Sequence, residues 1–137
     1  MKIGVLFQWI HSGEIRLDSA AKPEFPKLSA IPGVYAFRFV GKKETTVYIG
    51  EAENLRRRAA HYRNPGPSQI TNIRLNEKMR SHLAADGRIT LHLITAAKVE
   101  VDGSSEECDM SSNFVRRFLE NAALLAVART AEKVENL

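Results

Sequence analysis

Two short apolar segments separated by a turn, GVYAFRFV and TTVYIG, constrain the fold more than any other part of the sequence. Both are rich in β-branched and aromatic residues, and the intervening Gly41, Lys42 and Lys43 predict a β-hairpin. With a two-residue turn at Gly41 and Lys42, the pairing places Tyr35 opposite Tyr48, so that both phenols lie on one face. Aromatic pairs of this kind also stabilise small sheets, so the hairpin by itself does not indicate a functional site.

The segment after the hairpin predicts a helix that faces this sheet. Asn54 is the expected N-cap, and the helix runs to about Arg63. Leu55, Ala59 and Tyr62 fall on one helical face, which is the face expected to meet the sheet. A third tyrosine is therefore expected near the other two.

The three consecutive arginines of this helix are not equivalent. Arg56 and Arg57 point away from the sheet, as solvated phosphate contacts or solubilising charge, whereas Arg58 lies at the edge of the packed face. A buried guanidinium needs an anion. We expect Arg58 to point toward the tyrosines, with an ion pair to Glu51 or Glu120 as the structural alternative.

The remaining pattern is that of a single α+β domain. Residues 3–10 predict a strand or an N-terminal arm, and residues 14–17 show a brief strand alternation. A second helix is expected from a Ser68 cap to about Asp86, followed by a strand over residues 89–95. The polar, acidic residues 97–112 are expected to be the least ordered, before a further helix capped by Ser111 or Ser112.

The last predicted helix contains FLENAALLAVA, residues 118–128, in which Glu120 is the only ionisable residue. A helix that is apolar on nearly every face is normally buried, and a buried carboxylate either becomes protonated or acquires a cation. One explanation is a pair with Arg116, one turn earlier. The other is a single carboxylate ligand for Mg²⁺, which keeps waters that a phosphate can share.

Charge and cysteine content narrow the class of protein. The formal net charge is +4, with basic residues dominating residues 56–88, which favours a polyanionic partner such as nucleic acid. The single cysteine, Cys108, excludes an internal disulfide and a multi-cysteine zinc site. No signal peptide and no membrane-spanning run is apparent, so we expect a cytoplasmic protein.

Four elements of the sequence occur in the order and spacing of one known family. GVY at 33–35, YIG at 48–50, Arg58, and LEN at 119–121 resemble the GIY-YIG nuclease superfamily over residues 32–137. The chain looks most like its small stand-alone bacterial domains, and like the N-terminal nuclease domain of the excision-repair incision subunit. The resemblance implies a three-stranded antiparallel central sheet flanked by helices. To this core, the chain adds an N-terminal strand or arm within residues 1–31 and an insertion around residues 65–113.

The resemblance also implies catalytic and metal-binding roles. It implies that five residues belong to the active site, namely Tyr35, Tyr48, Arg58, Tyr62 and Glu120. Of these, Glu120 is implied as the ligand of a catalytic Mg²⁺ or Mn²⁺. DNA is then the expected partner, with no small-molecule cofactor, and the sequence does not indicate whether the chain forms a homodimer.

Three further positions match the family less closely. His61 lies beside the histidine position of some members, and Asn136 resembles the asparagine that follows the metal-binding glutamate. Glu51 stands where the repair nucleases have a lysine, so a proton relay through that lysine is not expected here. Four arginines are candidate contacts for the DNA backbone, namely Arg56, Arg57, Arg63 and Arg74.

The predicted reaction is the hydrolysis of DNA phosphodiester bonds, in repair, restriction or mobile-element processing. Tyr35 is the predicted base, because nearby positive charge would favour its phenolate, and Tyr48 is expected to orient phosphate or water. His61 is the alternative base. The alternative function is a nucleic-acid-binding domain of the same fold that no longer cuts.

Overall fold

The computed structural model describes residues 1–130 and 132–135, and Asn136 lies outside them. Nine strands and three helices form within those residues. The strands are β1 (Ile3–Leu6), β2 (Ile10–Leu17), β3 (Pro23–Glu24), β4 (Gly33–Val40), β5 (Thr45–Ala52), β6 (Arg88–Ile94), β7 (Lys98–Val101), β8 (Ser104–Glu107) and β9 (Lys133–Val134). The helices are α1 (Leu55–Arg63), α2 (Ile70–Ala84) and α3 (Asn113–Val127). None of these helices is long and apolar enough to span a membrane.

The main sheet contains the three predicted central strands. In the described part of the chain it has six strands in the order β3-β2-β6-β4-β5-β9, and β6, β4 and β5 pair antiparallel at its centre. The added N-terminal strand is also confirmed, because β2 pairs antiparallel with β6. At the other edge, β9 runs parallel to β5 and pairs only with Thr46 and Val47. The pairing with β9 thus covers only a short part of β5.

A small second sheet corrects the expectation for residues 97–112. The described strands β7 and β8 form a hairpin, and β1 of the N-terminal extension pairs with β7. The turn is Asp102-Gly103, with φ of 48° and 88°, so both residues adopt the left-handed conformation that such a hairpin turn requires. An Asp-Gly turn signal was therefore present in the sequence, but the polar composition around it obscured the strands.

Helices cover both faces of the main sheet. On one face, α1 and α2 pack through Leu55, Tyr62, Leu75 and Met79 against the aromatic residues of β4. On the opposite face, α3 packs through its own buried residues against the alternate residues of β4 and β5. Alternate residues of each strand point to opposite faces of the sheet, and this alternation separates the two apolar cores.

The register of the hairpin differs from the prediction. The loop has four residues, closed by a hydrogen bond of 3.0 Å from the Gly41 backbone nitrogen to the Glu44 carbonyl oxygen. Tyr35 therefore pairs with Gly50, and Phe37 pairs with Tyr48. A shift of two residues keeps every side chain on its original face, so the two phenols still share one face.

Two details of the helices also differ. Helix α2 begins at Ile70 with Gln69 as its N-cap, and neither Gln69 nor Ser68 provides a side-chain cap. Helix α3 does have the predicted Ser112 cap, which accepts from the backbone of Val115. Its apolar residues, however, are not all buried.

The exposed face of α3 carries large apolar side chains. Phe114 is 80% exposed, Phe118 is 47% exposed and Leu125 is 66% exposed, whereas Leu119 and Ala123 are buried. The expectation of a helix buried on all sides was therefore wrong. The sheet covers only one stripe of a surface helix, and composition does not reveal which stripe that is.

Candidate active site

All three tyrosines of the chain meet at one end of the hairpin. The hydroxyl oxygens of Tyr35 and Tyr62 are 2.5 Å apart, and the ring centroids of Tyr35 and Tyr48 are 6.5 Å apart. Tyr35 and Tyr62 are buried, whereas Tyr48 is partly exposed. The cluster therefore presents one partly exposed phenol in front of two buried ones.

Gly50 determines where the Tyr35 phenol lies. The two residues are cross-strand partners, and a Cβ atom built at position 50 would overlap the hydroxyl and ring of Tyr35. The phenol thus lies directly over the backbone of β5. Only glycine leaves this space open. This steric requirement explains why the YIG segment ends in glycine.

Arg58 points toward the tyrosines, as its position on the helix predicted. Its Nη1 atom donates a hydrogen bond of 3.2 Å to the Tyr35 hydroxyl, and it forms no ion pair with Glu51 or Glu120 in the described structure. Asn54 orients the start of α1 by accepting a hydrogen bond of 3.0 Å from the Arg57 backbone nitrogen. The guanidinium of Arg58 is therefore held by a neutral phenol, and no carboxylate of the described residues forms an ion pair with it.

Asn76 is a positioning residue that the sequence analysis missed. It is buried on α2, and its Nδ2 atom donates to the backbone oxygen of Tyr62 at 2.8 Å and of Arg63 at 3.1 Å. These two contacts join the end of α1 to α2 and so fix the backbone that carries Tyr62. The sequence did contain a signal for this role, namely an asparagine beside the apolar stripe of α2.

Glu120 approaches the site from the opposite face of the sheet. It belongs to α3, yet its carboxylate interacts electrostatically with Glu51, Arg58 and the Tyr48 phenol. The candidate site therefore draws on residues from both faces of the sheet.

The electrostatic state of Glu120 is unusual for a surface carboxylate. Burial raises its pKa above the ordinary value, and the nearby negative charge of Glu51 raises the pKa further, while Arg117 and Arg58 oppose this. None of the hydrogen bonds or ion pairs formed among the described residues involves its carboxylate. A partly buried carboxylate that lacks a cation partner is suited to binding a positive ion.

The pair predicted between Arg116 and Glu120 is replaced by a different one. Arg116 is 5% exposed, and its Nε atom binds Glu51 at 2.6 Å. Its Nη1 atom donates to the carbonyl oxygens of Met110 at 3.1 Å and Ser111 at 2.8 Å. Arg116 thus joins α3 and the loop before it to β5, and it leaves Glu120 free of an ion pair.

A basic cavity lies beside this cluster. It has a volume of about 530 Å³ and opens to solvent. Four arginines outnumber two carboxylates in its lining, which includes Arg57, Arg58, Arg116, Arg117, His61, Glu51 and Glu53. Arg117 was missed by the sequence analysis, because nothing local showed that α3 would turn it toward α1.

The pKa values of the three phenols argue against the predicted phenolate, and the assignment of the base stays a prediction. Burial raises the pKa of Tyr35 to about 12, and Arg58 only partly offsets this. Burial also raises the pKa values of Tyr48 and Tyr62. The desolvation of a buried phenolate outweighs the nearby guanidinium, so all three phenols are protonated at neutral pH.

The other candidate DNA contacts are distributed over different surfaces. Arg63 binds Asp18 and the carbonyl oxygen of Pro23, so its guanidinium serves the fold. Arg56 donates to the carbonyl oxygen of Leu28 at 3.1 Å, on a groove away from the cluster. Arg74 lies near Tyr48, since its charge lowers the pKa of that phenol.

The residues present fit a loosely held divalent ion. No group of three histidine, cysteine or acidic side chains comes together within residues 1–130 and 132–135. Glu120 forms no ion pair among the described residues, and Glu51 lies near it in its pair with Arg116. Mg²⁺ commonly binds through one or two carboxylates plus water and phosphate oxygens. The donor set thus suits Mg²⁺ or Mn²⁺ and does not suit a structural zinc ion.

The antiparallel centre of the sheet and the helices on its faces form an α+β fold that is consistent with the fold of GIY-YIG nucleases. The chain is similar to a solved structure of a mutant of EndoII from bacteriophage T4, an endonuclease of that type. The TM-score is 0.54 and the identity 15%, over 83% of this chain and 86% of the other. At this identity the likeness shows a shared fold alone. No protein-family model and no curated protein matches the chain.

The roles of the site residues and the metal remain predictions, and so do two further sequence-based assignments. One is the finer resemblance to the nuclease domain of the excision-repair incision subunit. The other is the division into an extension at 1–31 and a core at 32–137 with an insertion around 65–113.

Proposed function

We propose that this protein is a divalent-metal-dependent endonuclease that hydrolyses phosphodiester bonds of DNA. The observation that carries this proposal is the Arg58 guanidinium, held 3.2 Å from the Tyr35 hydroxyl at a basic cavity. Near it lies Glu120, which has no ion pair within residues 1–130 and 132–135. A phosphodiester is anionic, so its hydrolysis needs positive charge around the phosphate and a positioned water. The fold that the chain shares with T4 EndoII supports the same reading.

Arg58 and Tyr48 are the groups we assign to the scissile phosphate. The guanidinium neutralises phosphate charge, and the protonated phenol of Tyr48 donates a hydrogen bond to a phosphate oxygen. Tyr35 and Tyr62 are too buried to meet the substrate, so they position Arg58. Tyr35 is thereby reassigned from base to positioning residue.

Glu120, with Glu51 close by, would hold Mg²⁺ or Mn²⁺. Such an ion supplies positive charge to the phosphate and favours the deprotonation of water. Arg117, Arg58 and the pair of Glu51 with Arg116 offset the repulsion between the two carboxylates. The metal site therefore rests on this carboxylate pair.

His61 is the side chain we assign to remove the proton from the attacking water. It lines the cavity together with Arg58, and imidazole suits proton transfer near neutral pH. The raised pKa values of the three phenols argue against a tyrosine in that role. Arg57 and Arg117, which line the same cavity, are the proposed contacts for the DNA backbone.

Nicking of supercoiled plasmid DNA tests the proposal. Wild-type protein should nick the plasmid with Mg²⁺ or Mn²⁺ and lose this activity with a chelator. Glu120→Ala should reduce the rate by at least about 100-fold, as expected for a group that acts on transition-state charge. Glu77→Ala is the matched control, because Glu77 is an exposed helical glutamate outside the cavity.

A DNA-binding domain that does not cut is the second candidate function. It is favoured by the small number of metal-ligating side chains gathered in the described structure, while the basic cavity is retained. If the protein binds duplex, flap, branched or single-stranded DNA but cuts none of them with either metal, this second function is correct.

A further inference from the structure

A second basic groove lies beyond Tyr48, on the same face of the sheet. It has a volume of about 820 Å³ and runs between the loop of the β4–β5 hairpin and α2. Lys42, Lys43, Lys78 and His82 line it, with Phe39 also in its lining. None of these residues belongs to the candidate active site, and the fold does not need the two loop lysines for packing, because both are exposed.

The groove continues the candidate active site along β5. Thr46 lines the groove, and Tyr48 lies two residues further on the same face, which is about 7 Å along a strand. On α2, Arg74 and Lys78 are one turn apart and face this path. Basic side chains therefore follow one another from Arg74 through Lys78 to the loop lysines, and the carboxylate of Glu44 also lines the groove.

An acidic side chain of the chain itself already occupies the two cations of α2. The carboxylate of Glu135 lies 2.8 Å from Lys78 Nζ and 3.4 Å from Arg74 Nη1. The segment that carries Glu135 is held against β5 by β9 and by a hydrogen bond from its backbone nitrogen to the Val47 carbonyl oxygen. A carboxylate shared between an arginine and a lysine has the charge and geometry that a phosphate would take there.

Lys78 also lies over an aromatic ring, with its Nζ atom 5.1 Å from the centroid of Phe39. This contact keeps the ammonium at the groove when no carboxylate binds it. The cationic site therefore persists if the segment that carries Glu135 moves away.

We propose that this lysine groove is a second binding surface for the DNA backbone, and that Glu135 occupies its Arg74 and Lys78 in the absence of DNA. This inference rests on the proposed nuclease function. One part of the DNA contacts the arginines of the cavity beside Arg58, and the part beyond the scissile phosphate passes Tyr48 and enters the groove. Phosphate oxygens then displace the Glu135 carboxylate from the two cations.

The salt dependence of binding tests the groove, measured with a short duplex DNA by fluorescence anisotropy. For each phosphate that a variant no longer neutralises, the slope of log K against log salt should fall in magnitude by about 0.9. Lys42→Ala combined with Lys43→Ala should therefore lower it by about 1.8 and weaken binding about tenfold. Lys2→Ala combined with Lys98→Ala is the matched control, because both residues are exposed and belong to the region of the small sheet.

The role of Glu135 is tested by Glu135→Gln, which should tighten DNA binding several-fold. Glu107→Gln makes the same change in net charge on an exposed strand and should tighten binding less. The inference is overturned if the lysine variant keeps the wild-type slope, or if the two glutamine variants bind alike. If the slope of log K against log salt falls only in Arg57→Ala and Arg117→Ala, the proposed nuclease function stands and the groove is not a DNA-binding surface. No binding of DNA by the wild type would instead remove the proposed function.

Discussion

Gly50 lies directly across the hairpin from Tyr35, and the Tyr35 phenol fills the space that a side chain at position 50 would occupy. Gly50→Ala should therefore push the phenol away from Tyr62 and Arg58. We expect a loss of about 1–3 kcal/mol in the free energy of unfolding, measured with urea, because the core is overpacked. Plasmid nicking should fall by at least about tenfold, because the guanidinium loses its support.

Gly4→Ala is the control for this prediction. A Cβ atom at Gly4 meets only a carboxylate oxygen of Glu100, at 4.0 Å, so stability and nicking should stay at wild-type values. Wild-type behaviour of Gly50→Ala would contradict the tight contact with Tyr35.

The three phenols make the protein sensitive to alkali. Burial raises the pKa of Tyr35 to about 12 and raises those of Tyr48 and Tyr62, whereas phenols in the unfolded chain titrate near pH 10. Above that pH the folded state binds more protons than the unfolded state. The stability contribution is therefore complete below about pH 10 and is lost above it, by at most about 1.4 kcal/mol per pH unit for each tyrosine.

Tyrosinate absorbance measures this directly, because the chain has only these 3 tyrosines. The native protein should show little tyrosinate at pH 10, whereas protein in denaturant should be about half titrated there. A tyrosinate signal from folded protein at pH 8 would contradict the raised pKa values and restore Tyr35 as a candidate base.

Glu120→Gln should stabilise the protein at pH 7 while abolishing cleavage. Burial and Glu51 raise the pKa of Glu120, so the ionised carboxylate is less favourable in the folded state than in the unfolded state. The neutral amide removes this penalty. The difference in melting temperature should disappear below about pH 4, where wild-type Glu120 is protonated in both states. A variant less stable than the wild type at pH 7 would show that Glu120 has a cation partner.

Mg²⁺ should raise the melting temperature of the wild type and have little effect on Glu120→Gln. A ligand that binds only the folded state at 100 times its dissociation constant adds about 2.7 kcal/mol to the free energy of unfolding. Glu77→Gln, on an exposed helix surface, should keep the wild-type response to the metal. Equal shifts in Glu120→Gln and the wild type would place the metal elsewhere.

Arg116→Leu should cost about 3 kcal/mol of stability, because it leaves Glu51 unpaired and removes the donor to two backbone carbonyls. Chemical denaturation measures this change. Arg117→Leu, next along the same helix but exposed, should change stability by about 0.5 kcal/mol or less. Similar effects of the two substitutions would mean that the Arg116–Glu51 pair contributes little to stability.

Arg58→Lys should lower the rate of nicking about 100-fold with little change in DNA affinity. Lysine keeps the charge, but it lacks the planar fork that lets arginine contact the Tyr35 hydroxyl and a phosphate together. Arg80→Lys, on the exposed surface of α2, is the control and should nick at the wild-type rate. Nicking by Arg58→Lys within a fewfold of the wild type would remove Arg58 from the site.

The hairpin and α1 were predictable because their signals are local. Alternation along β4 and β5 places Tyr35 and Tyr48 on one face, and the Asn54 cap with helical periodicity directs Arg58 toward them. Even an error of two residues in the pairing preserved the shared face, since strands repeat every two residues.

The contacts between distant segments were not predictable in the same way. The carboxylate of Glu51 could have paired with Arg58, yet it binds Arg116 of α3, which is distant in sequence. The choice depends on how α3 crosses the sheet, and neither the periodicity nor the composition of α3 contains that information. The places of Arg117 in the cavity and of Asn76 behind Tyr62 also depend on how distant segments pack, so they were not predictable either.

From its own residues, the chain determined an aromatic hairpin, a capped arginine helix and a lone acid in an apolar segment, because each depends on neighbours within a few positions. The tertiary structure alone decided that Glu120, on the far side of the sheet, comes close enough to interact electrostatically with Arg58 and the Tyr48 phenol. It also decided that the phenols stay protonated, because desolvation depends on everything packed around them and exceeds the attraction of Arg58.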